Sequence, residues 1–449
     1  MSKSSRSQGS SRDSAPRASS ASNPNGFWNR FFRRLGPGLI TACVVIGPGS
    51  LLTSSSVGSV YGYQTIWVLF VAVGLMMVFM TMGAKLGVTA DGTPAELLSR
   101  HVGRWLPALI GIAVFCIAAS YQYGNNLGAA SAIEPLLSFA SAASRPAWVI
   151  GATGLLNAAA IAFLFAFKDL YVRLERVMAT FVAIMLTAFV INLIIAGIDL
   201  RALALGLIPS VPHDPSGKPL DPLPVIGWIG TTFITAIAYY QAYLVRQKGW
   251  SREQLKDGIW DARVGALVVA SITLMITVTA AQVLAPKVAE GFVLSNIAQV
   301  GEQLRPSFGA ASQWIFSAGV FCAAYSSFLI NSMIGGFLLA DGFFLNATSN
   351  DRLARRFTAA ILVIGWLVAA AVIILKIKPV AAIVFAQALT VPIAPLVGIV
   401  LWWLTSRRDV MGEERNRWPT HVVAATGLLV LLALSILLLH RIASSLGWV

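Results

Sequence analysis

The sequence predicts an all-α polytopic membrane protein of eleven transmembrane helices, arranged as a five-plus-five inverted repeat with broken helices 1 and 6 plus one extra helix. Three observations carry that prediction. The 449 residues are 57% apolar and 12% charged with mean hydropathy +0.74, far from the soluble norm of about a quarter charged residues. Apolar runs of roughly 18 to 25 residues, long enough to cross a bilayer, begin near residues 38, 65, 105, 147, 176, 224, 263, 309, 357, 379 and 420. The first of these runs is interrupted in its middle by Gly47-Pro48-Gly49-Ser50.

Residues 1–26 are Ser-rich and basic, lack apolar periodicity and are expected to be a disordered cytoplasmic tail. They are not a signal peptide, because the apolar segment that follows is too long and has no small-residue cleavage site. Phe27, Trp28, Phe31 and Phe32, interleaved with Arg30, Arg33 and Arg34, predict a short helix lying on the inner leaflet. The first repeat, helices 1 to 5, covers 27–196. An extracellular loop, 197–223, follows, with Pro209, Pro212, Pro215, Pro219 and Pro222 beside His213 and Asp214. The second repeat, helices 6 to 10, covers 224–404, and a cytoplasmic loop with helix 11 fills 405–449.

Charge sets the orientation. With the N-terminus inside, 25 of the 33 Lys and Arg fall on cytoplasmic segments and 8 on outer ones, the asymmetry expected of short loops. The net charge of +14 would suggest a nucleic-acid binder in a soluble chain. Here it is loop charge, and no nucleic-acid partner follows. A multi-pass protein of the cell membrane is expected, with the lipid bilayer and a small solute or ion as partners. Neither a protein partner nor a cofactor is indicated. Cys43, Cys116 and Cys322 are odd in number and all fall in spans, so they read as small packing residues and not as a disulfide framework.

Proline and glycine at membrane depth free backbone donors and acceptors that hydrocarbon cannot satisfy, so the first break must line a cavity buried in protein. The half-helix after Gly49 would aim N–H groups and a positive dipole end into that cavity. Inverted-repeat transporters put a second broken helix at the start of the second half, which places it near 230–236. That stretch, Gly230-Thr231-Thr232-Phe233-Ile234-Thr235-Ala236, followed by Tyr239, Tyr240 and Gln241, is polar but has no proline. A break and a continuous Thr-rich helix bonding its own carbonyls both fit. In helix 3, Gln122, Asn125 and Asn126 fall on one face at i, i+3 and i+4, either lining the site or joining helices. Pro392 and Pro395, with Gln387 and Thr390 just before them, predict a kink in helix 10.

Several stretches resemble one known family: Gly36-Pro37-Gly38, Tyr61-Gly62-Tyr63 with Trp67-Val68-Leu69, Ala84-Lys85-Leu86-Gly87, Leu174-Glu175-Arg176-Val177, Ala324-Tyr325-Ser326-Ser327, and Thr405-Ser406-Arg407-Arg408 with Val410-Met411-Gly412. Over nearly all of 36–440 the chain is similar to the NRAMP divalent-metal transporters. The resemblance implies a LeuT-like inverted-repeat fold and proton-coupled import of manganese or ferrous iron. It also implies a metal site at an Asp-Pro-Gly-Asn break in helix 1 and a Met-Pro-His segment in helix 6. This chain departs at each ligand. Gly47 stands at the aspartate position, Ser50 at the asparagine, Ile234 at the methionine, Thr235 at the proline and Ala236 at the histidine, while Gln122 and Asn125 stand where helix 3 carries acids.

A divalent cation stripped of water near the midplane needs anionic or densely packed ligands, and the sequence places Glu134, Asp199 and Asp341 near helix ends and the histidines in loops or flanking the last span. The reading favoured by these residues is therefore a secondary transporter of a small polar organic solute, such as an amino acid, cyclic amide or carboxylate. Its substrate-binding residues would be Gly47, Gly49, Ser50, Gln122, Asn125, Thr232, Thr235 and Tyr239, with no metal ligands. Ser326 and Ser327 form a candidate monovalent-ion site or a close helix contact, so Na+ and H+ both stand as coupling ions. A proton-coupled divalent-metal transporter with an atypical site and a non-transporting sensor or scaffold are the alternatives. No nucleophile, base and oxyanion constellation suggests an enzyme.

Overall fold

The computed structural model describes residues 47–137, 143–166, 183–195, 197–213, 221–290, 297–344 and 352–445, with a few isolated positions. The basic tail, the interfacial segment 27–34, Cys43, the first half of span 1 and the Leu174–Val177 motif lie outside the described residues. Thirteen helices account for the eleven spans. They are α1 (Pro48–Tyr61), α2 (Ile66–Thr89), α3 (Trp105–Ile133), α4 (Arg145–Ala166), α5 (Ala183–Ile195), α6 (Pro222–Thr232), α7 (Thr235–Gln247), α8 (Leu255–Val283), α9 (Ala311–Gly342), α10 (Arg352–Ile374), α11 (Pro379–Ala388), α12 (Ala394–Ser406) and α13 (Trp418–Ser445). Among the described residues there is no strand. Span 6 is α6 followed by α7, and span 10 is α11 followed by α12.

The described half of span 1 begins at the expected break, and span 6 is interrupted where a break is one of two expectations, for different local reasons. Helix α1 starts at Pro48, whose missing N–H and fixed φ suit a first helical position, and Gly47 before it is extended at φ −126°, ψ 178°. The sixth span breaks at Phe233 (φ −107°, ψ 79°) and Ile234 (φ −98°, ψ 92°) with no proline. Two neighbours hold it open. Tyr121 of α3 donates its hydroxyl to the Gly230 carbonyl at 2.9 Å, and Thr235 donates to the Ala394 carbonyl of α12 at 2.8 Å.

The long helix α9 packs along α3, and α10 lies against both, while α2 is sandwiched between α7 and α8. Backbones approach closely at the α2–α7 seam, where Gly83 and Gly87 face Ala238 and Ala242. A Cβ placed on Gly83 would lie 2.0 Å from the Ala238 carbonyl oxygen, and one on Gly87 would lie 2.4 Å from that of Ala242. Small residues four apart on both helices let dispersion replace the hydrophobic drive that lipid does not supply. Gly83→Val is therefore expected to force the helices apart at a cost of about 3 kcal/mol, read as a lowered melting temperature of the detergent-solubilised protein.

Two side chains depart from expectation. Asp261 is fully buried on α8 because that helix starts at Leu255, two turns before the apolar run that marks the span in the sequence. Cys116 is exposed on α3, so of the two described cysteines only Cys322 packs in the interior. Beyond the spans, Arg407 and His101 both contact Asp409, and hydrogen bonds from Arg407 first and His101 second hold that exposed carboxyl well below the usual carboxylate range.

Candidate functional site

The start of α1 and the interruptions of spans 6 and 10 converge. Thr53 of α1 meets Thr231 of α6 through their hydroxyls at 3.3 Å. The Gly49 backbone lies flush against Gln387 of α11, such that a Cβ there would sit 2.1 Å from the Gln387 Nε2. Gly230 presses on the Gln387 carbonyl and the Thr390 hydroxyl, at 2.8 and 3.1 Å from its would-be Cβ. At Gly230 the close atom is backbone, so a side chain there would force the helices apart, whereas at Gly49 it is the end of the Gln387 side chain, which would have to leave its place.

Between them lies a void of about 20 Å³, lined by Gly47, Gly49, Ser50, Tyr121, Asn125, Thr231, Ile234, Ile237, Asn331 and Gln387. A void needs roughly 10–15 Å³ on this measure to admit a water, so the space takes one water or one ion. Its lining is neutral: no Asp, Glu, His, Cys or Met is part of it. Among the described residues, no cluster of three or more His, Cys, Asp or Glu could hold a metal.

Ser50 serves the helix start first. The Gly47 N–H donates to its Oγ at 3.2 Å, and that hydroxyl donates to the Gly47 carbonyl at 3.0 Å. Asn125 Oδ1 and Ser327 Oγ both lie 3.3 Å from the point where a Cβ on Gly47 would stand. The carboxamides are incompletely used. Asn125 Nδ2 and Gln387 Oε1 are buried with no hydrogen-bond partner, an arrangement that normally signals a missing guest or water.

Of the expected substrate residues, Gly47, Gly49, Ser50 and Asn125 come together, and Ile234 joins them. Four others do not. Gln122 points away toward α4, where its Nε2 reaches Asn157 Oδ1 at 3.4 Å and Asn157 in turn donates to Asn126 Oδ1 at 2.6 Å. The helix 3 stripe thus divides, Asn125 facing the void and its two neighbours joining helices. Thr232 bonds the Trp228 carbonyl within α6 at 2.8 Å, and Thr235 is engaged with α12. Tyr239 sits a turn further along α7, packed on Tyr243 at 5.9 Å between ring centroids. Tyr243 in turn donates to Asp341 Oδ2 at 2.7 Å, so that carboxylate is part of a buried aromatic cluster and not simply a helix-end surface group. Of the serine pair, Ser327 is beside Gly47, whereas Ser326 bonds the Ala323 carbonyl on its own helix.

Tyr121, Thr231, Ile237, Asn331 and Gln387 were not singled out for the site from the sequence. Asn331 lies on α9 four residues beyond Ser327, and that i, i+4 spacing on the serine face was the available signal.

Comparison with known proteins places this geometry. Residues 38–441 match the family described as "Natural resistance-associated macrophage protein-like". The chain is 26% identical over 411 residues to the "Divalent metal cation transporter MntH" of Burkholderia ambifaria, covering 89% of this chain and 87% of that one. It is 24% identical over 413 residues to the protein of the same description from Deinococcus radiodurans, covering 89% and 88%. Among solved structures, a variant of the Eremococcus coleocola manganese transporter superposes with TM-score 0.73 at 19% identity, over 95% of this chain and 90% of that one. Inward-facing Mhp1 superposes with TM-score 0.53 at 16% identity, over 92% and 91%. With its family match running from the first span to the last, this chain belongs to the NRAMP family of transporters, as a member whose helix breaks carry no charged or sulfur ligand.

Proposed function

We propose that this protein is a secondary active transporter of a small, hard cation of the divalent-metal class, held by neutral oxygens while it keeps part of its water shell. One observation carries the reading: in this conformation the space at the meeting breaks holds about one ion or water among neutral oxygen-bearing groups. The names of its relatives favour the same cargo class. The lining then sets the selectivity. Carbonyl, hydroxyl and carboxamide oxygens suit ions that tolerate hard ligands and retain water, as Mg²⁺ does, whereas the thioether and imidazole that suit softer metals are lacking. Affinity should be weak, because no countercharge offsets desolvation.

A second reading, the small polar organic solute, rests on the unpartnered Asn125 Nδ2 and Gln387 Oε1. An amide-like guest would bond both, whereas a cation uses only acceptors. Uptake into proteoliposomes of Mg²⁺ and Mn²⁺ against a panel of small amides, carboxylates and amino acids separates the two. Saturable Mg²⁺ uptake supports the first, and organic uptake with no cation flux overturns it.

Coupling follows the same chemistry. No lining group titrates near neutrality, so uptake should change by less than about twofold between pH 5.5 and 7.5 at constant voltage. A steep acid stimulation would place a proton carrier elsewhere in the chain. Sodium is the better candidate, since Ser327 Oγ and Asn125 Oδ1 flank Gly47 and hydroxyls and carbonyls suffice for a monovalent ion. The cell membrane, a cytoplasmic N-terminus and repeats bounded at 27–196 and 224–404 complete this reading, supported by the loop-charge asymmetry.

A further inference from the structure

We infer that the protein carries a binding site for an anionic phospholipid where α3, α4, α10 and α11 meet, at the outer membrane interface by the orientation proposed above. A cavity of about 530 Å³ opens there, with Arg145, Lys376 and Lys378 against a single acid, Glu134, and with Leu127, Val149 and Val372 among its apolar walls. A second, almost wholly apolar groove of about 580 Å³ shares Val372 and Ile377 with it and runs along α3, α10 and α11 past Ala381, Phe385 and Leu389. A basic chamber adjoining an apolar groove across Val372 and Ile377 matches an amphiphile with an anionic head and an acyl tail. It matches neither a free anion, which leaves the groove unused, nor a neutral lipid, which leaves the cations unused.

The turn between α10 and α11 presents the head-binding groups in fixed geometry. Lys376 has φ +54°, and the N–H groups of Leu375, Lys376 and Ile377 bond back to the Ala371, Ile373 and Val372 carbonyls at 2.9, 3.1 and 3.1 Å. The turn thereby closes α10 and holds two exposed lysines one residue apart on either side of Ile377. Pro379 starts α11 immediately afterwards, so a phosphate at Lys378 also meets the positive end of that helix. The groove touches the span that carries Gln387, and Tyr123 on its wall donates to the Ala382 carbonyl at 2.5 Å. Lipid occupancy is therefore in contact with the span that supplies Gln387 to the candidate site.

The test is native mass spectrometry of the full-length protein titrated with phosphatidylglycerol, phosphatidylcholine or inorganic phosphate. Phosphatidylglycerol should be retained in preference to phosphatidylcholine, and inorganic phosphate should not displace it. Each lysine replaced in Lys376→Gln and Lys378→Gln should weaken phosphatidylglycerol retention about fivefold, with phosphatidylcholine unaffected. Ala381→Trp, which fills the groove and leaves the cations in place, should lower phosphatidylglycerol occupancy as well. Equal retention of the two lipids by the unmodified protein, or an unchanged preference in the lysine double variant, overturns the site. Displacement by phosphate alone would identify a soluble anion as the occupant and overturn it equally.

Discussion

Gly47→Asp should convert a weak cation site into a strong one and make folding depend on the metal. The position can take the side chain. Gly47 is extended at φ −126°, within reach of any residue, and a Cβ there meets Asn125 Oδ1 and Ser327 Oγ at 3.3 Å, tight contacts that a small shift relieves. It precedes the first turn of α1, where a carboxylate caps N–H groups and faces the positive dipole end. One added anionic ligand is expected to raise Mn²⁺ and Mg²⁺ affinity about tenfold to a hundredfold. Without metal, the new carboxylate is buried beside neutral groups and destabilises the protein. The variant should therefore melt lower than the parent in chelator and recover when Mn²⁺ is added, as mass action requires of a ligand that binds only the folded state. The parent should show little metal dependence of its melting temperature. A variant whose melting and uptake ignore divalent ions would mean that the void at the breaks is not where cations pass.

How much of this site the sequence discloses depends on whether a residue lies before or after an interruption. The Gly47–Ser50 break is legible because proline and glycine have fixed backbone consequences in lipid, and Asn125 follows from helical periodicity within an unbroken α3. The sixth break is only half legible. Phe233 and Ile234 leave helical geometry through bonds that Tyr121 and Thr235 make to other segments, a tertiary cause that no local propensity records. The same limit moves Tyr239: α7 restarts at Thr235 with a new phase, which carries Tyr239 past the void and into the cluster with Tyr243. Gln387 is the clearest case. The sequence marks it only as a residue before the Pro392 kink, and its packing on the Gly49 backbone is a tertiary contact between spans 1 and 10 that local pattern does not record. The membrane-spanning, all-helical class comes out of the sequence because apolar length is summed over many residues.

Gln387 is also where the two cargo readings give opposite results. Its carboxamide is the only span 10 side chain in the lining, packed on the Gly49 backbone with Oε1 unpartnered. Gln387→Ala removes an oxygen that would face the guest, and hydrogen bonds to charged groups contribute about 1.5–3 kcal/mol, so initial uptake should fall by about tenfold or more. Gly49→Ala should fail as severely by driving a methyl group into the same carboxamide. Neither loss names the cargo, but Gln387→Glu does. If a cation passes, the new carboxylate supplies the missing countercharge, and uptake of divalent ions at low concentration should rise above that of the parent. If an amide-like solute passes, glutamate has lost the donor that glutamine offered and adds a buried charge, so uptake should fall as it does in Gln387→Ala. Initial rates in proteoliposomes, normalised to protein that elutes as a single species and melts near the parent, distinguish the outcomes. Weaker divalent-cation binding by both Gln387→Ala and Gln387→Glu, measured as the half-saturating concentration for uptake, would overturn the cation reading, because a site short of negative charge cannot lose affinity for a cation by gaining it.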